Sequence, residues 1–263
     1  MMWRARTPAA PDAEALMAEA RRLAEADDYD GAFAIWEPLA RTGHARAQNN
    51  IGACFAEGMG VPRDALLAYR WLSLAADAGD PVGQRNLATL LFKGEGIEAD
   101  STQAQALYRK AAEQGDAVAQ DMLSWMLLED ETVPRDVQQA RHWAGKAAAQ
   151  GVASSMTRLG MLHHNALGVA RDPQAAVRWW RLAAARGDAD GQAMLGAALL
   201  MGAGAARDAE GALAWLLRAE AGGSALAEKF LPAARAALDD AAQARAFRHA
   251  AEPLAEPAPW SQA

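Results

Sequence analysis

The side chains of this chain that could transfer protons, hold a metal or attack a carbonyl are five histidines, one cysteine and a ladder of aspartates. His163 and His164 are adjacent, and neighbours on a helix point to different sides, so the pair does not converge on one metal ion. Asp64, Asp100, Asp136, Asp172 and Asp208 stand 36 residues apart. Paired carboxylates would suit general acid and base catalysis, but one acid in each period is what a helix start requires, because its oxygen accepts the orphan amides there. The stretches Gly58-Met59-Gly60, Gly94-Glu95-Gly96 and Gly202-Ala203-Gly204 lack the lysine of a phosphate-binding loop and recur in one phase, which makes them connectors. Cys54 is the single cysteine, which excludes an intrachain disulfide framework, and its place beside Phe55 predicts a buried thiol. No Ser-x-x-Lys pairing supplies a nucleophile with its base. The expectation is a protein with no catalytic residue, no metal site and no cofactor.

The aspartates belong to a tandem array, because Gly43, Gly79, Gly115, Gly151, Gly187 and Gly223 recur with the same period of 36. Four residues after each aspartate stands an alanine (Ala68, Ala104, Ala140, Ala176, Ala212), and three further on Trp71, Leu107, Trp143, Trp179 and Trp215. These spacings lie on one helix face and predict an amphipathic helix whose bulky residue is its buried anchor. The first half of each repeat carries a second stripe, Ile51, Leu87, Leu123, Leu159 and Leu195, followed four residues later by Phe55, Leu91, Leu127, His163 and Leu199. A small residue beside the first of these (Gly52, Ala88, Ser124, Gly160, Gly196) admits a neighbouring helix closely. The repeat glycine suits a left-handed helix end, and Asp80-Pro81 and Asp172-Pro173 read as helix starts. The fold class is all-α, an α-solenoid of antiparallel helix pairs.

In one copy the framework reads Ala47-Gln48, Ile51-Gly52, Phe55, Gly58, Gly60-Val61, Asp64, Ala68, Trp71 and Ala75-Ala76, and four more copies follow through residue 221. This pattern resembles the Sel-one-like repeat family, a relative of the tetratricopeptide repeats. The resemblance implies a superhelical adaptor or scaffold for protein–protein interaction. It also implies a second reading, since some cysteine-rich members bind or hydrolyse β-lactams. Those members carry a cysteine pair in each repeat, and this chain has none. A small-ligand or glycan-binding module is the third reading.

The expected organisation is a disordered N-terminus (1–11), an N-terminal capping helix pair (12–42), five 36-residue repeats (43–222), C-terminal capping helices (223–252) and a disordered tail (253–263). The period runs on without a linker, which favours one elongated array. A formal charge of −7 and a pI near 5.3 argue against nucleic acid. No apolar run has the length of a membrane span or signal peptide, so the expected location is cytoplasmic and no membrane partner is expected.

By analogy with tetratricopeptide geometry, the residues three, six, ten and thirteen after each repeat glycine should line an inner groove that takes a peptide or a partner helix. From these positions the expected partner-binding residues are Arg46, Asn49, Arg85, Thr89, Phe92, Asp121, Trp125, Leu128, Met161 and His164. Phe92, Trp125, Leu128 and Met161 would form an apolar patch, and Trp125, which lies off the Leu123–Leu127 stripe, either anchors the partner or fills a gap between neighbouring repeats. The turn Glu129-Asp130-Glu131, without the usual glycines, adds an acidic edge.

Overall fold

The structure is a computed structural model that describes residues 12–255. The segment 1–11 and all but the first three residues of 253–263 lie outside the described residues. The chain divides between Asp116 and Ala117 into two compact units. The first contains α1 (Ala13–Glu25), α2 (Tyr29–Arg41), α3 (Ala45–Glu57), α4 (Ala65–Asp77), α5 (Pro81–Lys93) and α6 (Ser101–Glu113). The second contains α7 (Ala117–Glu129), α8 (Val137–Ala149), α9 (Ala153–His164), α10 (Pro173–Ala185), α11 (Ala189–Met201), α12 (Ala209–Ala221), α13 (Ala225–Ala236) and α14 (Asp240–Ala251). Among the described residues all regular structure is helical, and the fold is the α-solenoid of helix pairs that the repeat pattern predicts.

The start and stop signals act as their chemistry requires. Asp64, Asp100, Asp136, Asp172 and Asp208 each accept the amide three residues on, at 2.9, 2.8, 3.0, 2.8 and 2.9 Å. The repeat glycines take φ between 82° and 95° and close the preceding helix with paired bonds, as where the His44 amide reaches the Leu39 carbonyl and the Gly43 amide that of Ala40, both at 3.0 Å. The glutamine of the Ala-Gln pair also has a structural role, since Gln48, Gln84 and Gln192 donate to the carbonyls of Ala40, Ala76 and Ala184 at 3.1, 3.4 and 3.2 Å. They satisfy helix-end carbonyls that are buried from water.

The second-helix alanines Ala68, Ala104, Ala140, Ala176 and Ala212 have no exposed surface. Of the bulky anchors, Leu107 and Trp143 are buried as expected, at 8% and 6% exposed, and the other three are not. Trp71, Trp179 and Trp215 are half-buried, and the deepest side chain is the next residue along: Leu72, Tyr108, Ala144, Trp180 and Leu216, all between 0% and 3% exposed. In the three copies whose small first-helix residue is glycine, Leu72, Trp180 and Leu216 fill the space that its missing side chain leaves. A Cβ on Gly52 would stand 2.7 Å from Leu72 Cγ, one on Gly196 would stand 2.7 Å from Leu216 Cγ, and one on Gly160 would enter the Trp180 indole. Where the small residue is Ser124, the facing residue shrinks to Ala144, and Ser124 Oγ donates to the Ala140 carbonyl at 2.8 Å. Small and large residues are thus matched across the pair, which keeps the helices closely packed.

Cys54 is fully buried, and desolvation pushes its thiol up to about 11, in line with a packing role.

Candidate partner-binding surface

Within each unit the polar residues three to seven positions after a repeat glycine join one repeat to the next. Arg46 pairs with Asp80 at 2.6 Å and Arg85 with Asp116 at 2.9 Å. Asp80 also caps α5 by accepting the Gly83 amide at 2.8 Å, so one carboxylate closes a helix and holds a neighbour. Asp121 receives Ser154, Ser155 and Arg158 at 2.9, 2.5 and 2.6 Å, and Thr157 donates to Asp188 at 2.6 Å. Asn49 is 3% exposed and accepts from Asn86 at 2.8 Å. Arg46, Arg85 and Asp121 are therefore engaged between repeats, and Asn49 has almost no surface to offer a partner.

The open surface of the first helices lies at a different register. Two clefts occur at matching positions in the two units, lined from positions ten, thirteen and fourteen of one repeat and seven, ten, eleven and fourteen of the next. In the first unit these are Ala53, Ala56, Glu57 and then Asn86, Thr89, Leu90, Lys93, around a cavity of about 190 Å³. Arg63 and Glu95 flank it as an exposed ion pair, and the Arg63 guanidinium holds the Glu95 carboxyl below its ordinary range. Thr89 Oγ1 shares a hydrogen bond with the Tyr108 hydroxyl at 2.9 Å. In the second unit the matching residues are Met161, His164, Asn165 and then Met194, Ala197, Ala198, Met201, closed by Trp180, Ala203 and Phe230 around a cavity of about 260 Å³. One geometry thus carries two chemistries, charged in the first unit and apolar in the second.

Of the residues expected from the sequence, Thr89, Met161 and His164 line these clefts. Phe92 belongs to the first unit, whereas Trp125, Leu128 and Met161 belong to the second, and both aromatic residues are half-buried. Leu128 packs against the core around Met156, Leu159 and Leu162. Sequence reasoning missed Met194, Met201 and Phe230, whose signal was available: they stand seven or fourteen residues after a repeat glycine, on the same helix face as position ten. A wider cleft of about 730 Å³ lies between α1 and α3, lined by Met17, Arg21, Tyr29, Trp36 and Arg46 among others. In the acidic turn, Asp130 accepts from the Thr132 amide and hydroxyl at 2.8 and 2.6 Å, replacing the missing glycines with its own turn. His163, the departure from the apolar stripe, is half-buried, and its Nδ1 is buried with no hydrogen-bond partner. Desolvation lowers its pKa; Asp172 opposes this, and Arg141 and Arg178 add to it.

The Sel1 repeat model matches five consecutive segments, residues 45–80, 81–116, 117–152, 153–188 and 189–224. The chain belongs to the Sel1 repeat family, whose repeats generally serve as protein-interaction modules. No curated protein matches it. Among solved structures, a Sel1 repeat protein from Oxalobacter formigenes is 26% identical, with a TM-score of 0.80, and the alignment covers 92% of this chain and 99% of that one. A protective antigen of uropathogenic Escherichia coli with an SLR fold is 29% identical at a TM-score of 0.83. That alignment covers 91% of this chain but only 52% of the antigen, so this chain spans about half its length. An immunity protein from Pseudomonas aeruginosa, 19% identical at a TM-score of 0.52 over 82% of this chain and 84% of that one, shares the fold alone. Among the described residues no helix is long and apolar enough to cross a membrane.

Proposed function

We propose that this protein is a non-catalytic interaction scaffold whose second unit grips a partner peptide or helix on its first-helix face, with the apolar cleft there as anchor. The observation that supports this is the contrast between matched positions: Ala53, Asn86 and Lys93 in one cleft correspond to Met161, Met194 and Met201 in the other. A framework held constant while one surface register changes from small, amide and ammonium side chains to three thioethers is the mark of a surface fitted to something outside the fold. Methionine suits such a surface because its unbranched, polarisable side chain adapts to a bulky guest. A cavity of about 260 Å³ has room for one large apolar side chain and is small for a drug-sized ligand, whose sites run from about 300 to 1,000 Å³, which favours a protein partner over a glycan or a β-lactam.

The reading is tested by placing a photoreactive amino acid at position 194 and, separately, at Arg141, an exposed position on second helix α8. Irradiation in the source cell should give a discrete protein adduct from position 194 and none from position 141. An adduct only from position 141 would move the interface to the second helices and overturn the proposal.

A further inference from the structure

Among the described residues no three carboxylates, imidazoles or thiols are grouped so that they could hold a metal ion, but three thioethers line one cavity. Met161, Met194 and Met201, three of the ten methionines, line one cavity together with His164. The helices place them there. Met161 and His164 are three residues apart on α9, and Met194 and Met201 are seven apart on α11, so each pair shares a face, and α9 packs against α11. The adjacency of His163 and His164 is therefore irrelevant to ligation, since the donors that accompany His164 come from sulfur. The Trp180 ring lies 5.5 Å from that of His164 and helps to line the cavity.

The chemistry of this donor set is selective. Thioether sulfur and neutral imidazole are uncharged, and no carboxylate is present among the described residues that line the cavity. Hard divalent cations require oxygen ligands and gain nothing here, whereas soft monovalent ions of the first coinage metals prefer sulfur and accept two to four such donors. Three rotatable bonds let each methionine close on an ion without moving its helix, and Met201, 59% exposed, leaves an entry path. The matching cleft of the first unit has Ala53, Ala56, Asn86 and Lys93 at these positions, so the set is not a by-product of the repeat.

We propose that Met161, Met194, Met201 and His164 form a binding site for a single copper(I) ion. The site stands independently of any protein partner, because the probe is the metal alone. The full chain, kept anaerobic with a reductant, is titrated with copper(I) against a chromophoric copper(I) chelator, and silver(I) is followed through the methionine methyl resonances. One equivalent should be retained, the methyl signals of Met161, Met194 and Met201 should shift together, and Met161→Leu or Met194→Leu should weaken retention at least tenfold. Leucine keeps the cleft apolar, so circular dichroism should be unchanged. Cys54→Ala, which removes the single thiol, should bind as the wild type does. The proposal is overturned if the chelator strips all copper, if the Met161→Leu/Met194→Leu double variant retains it undiminished, or if Cys54→Ala abolishes binding.

Discussion

Replacing Gly160 by alanine sets two effects of known size against each other. In a helix interior alanine is favoured over glycine by about 1 kcal/mol. Here the new Cβ would enter the Trp180 indole. That ring is 3% exposed and its Nε1–H donates to the Thr157 carbonyl at 3.2 Å, so it cannot step aside cheaply. Overpacking of this kind costs roughly 1–3 kcal/mol, which leaves a net loss of about 0–2 kcal/mol. Gly145, on α8 with open space within 4 Å of where a Cβ would stand, is the internal control, and Gly145→Ala should stabilise by about 0.5–1 kcal/mol. With Trp180→Ala in place, so that the position matches Ala144 of the third copy, there is room for the methyl, and Gly160→Ala should turn stabilising, a coupling between the two sites of about 1–3 kcal/mol. Urea unfolding of the four members of the cycle, followed by circular dichroism, measures it. Additive effects, or a Gly160→Ala variant as stabilised as Gly145→Ala, would refute the pairing of small and large residues across the helix interface.

Two further substitutions probe the polar groups. Asp121→Ala leaves Arg158, 11% exposed at its side chain, without its partner and should destabilise by about 3 kcal/mol, whereas Arg63→Ala in the exposed pair with Glu95 should change stability by no more than about 1 kcal/mol. Equal urea midpoints for the two would show that the repeat-to-repeat pairs carry no special weight. For His163, burial holds the folded pKa below the unfolded value near 6.5, so its contribution to stability is complete above about pH 6.5 and is lost as the pH falls through the folded pKa. The thermal midpoint of the wild type should therefore fall further between neutral and acid pH than that of His163→Leu, which restores the residue type of Leu127 and Leu199; parallel falls would count against the unpartnered imidazole.

The helix pairs were legible because their signals are backbone chemistry. A left-handed helix end demands glycine and an orphan amide demands a side-chain oxygen, so the glycine of Gly43 and the aspartate of Asp64 recur unchanged through the five repeats. The deepest packing position was obscured for the opposite reason. Leu72, Tyr108, Ala144, Trp180 and Leu216 vary because each is matched to a facing partner, and a compensated pair has no single-residue signature. Of the recurring tryptophans one position earlier, Trp143 is buried, whereas Trp71, Trp179 and Trp215 are half-buried. The same confusion affected the surface. Arg46, Arg85 and Asp121 vary between copies, which reads as a binding face, yet each is satisfied by a different partner in the adjoining repeat. Position seven after the glycine pairs in the same way where it is Asn86 or Arg158, but in the fifth copy it is Met194, whose thioether makes no such pair. The junction between Asp116 and Ala117 was equally silent, since the period crosses it without an insertion or a change of composition.

The central claim is that the first-helix face of the second unit, centred on Met194, holds a protein partner. With the protein captured through position 194 in hand, titration calorimetry against the wild type, Met194→Asp and Arg141→Glu tests it directly. A buried anchor is worth about 2 kcal/mol or more, so Met194→Asp should weaken binding about thirtyfold, while Arg141→Glu on α8 leaves it within about twofold. Undiminished affinity for Met194→Asp, with unchanged helicity, would contradict the account.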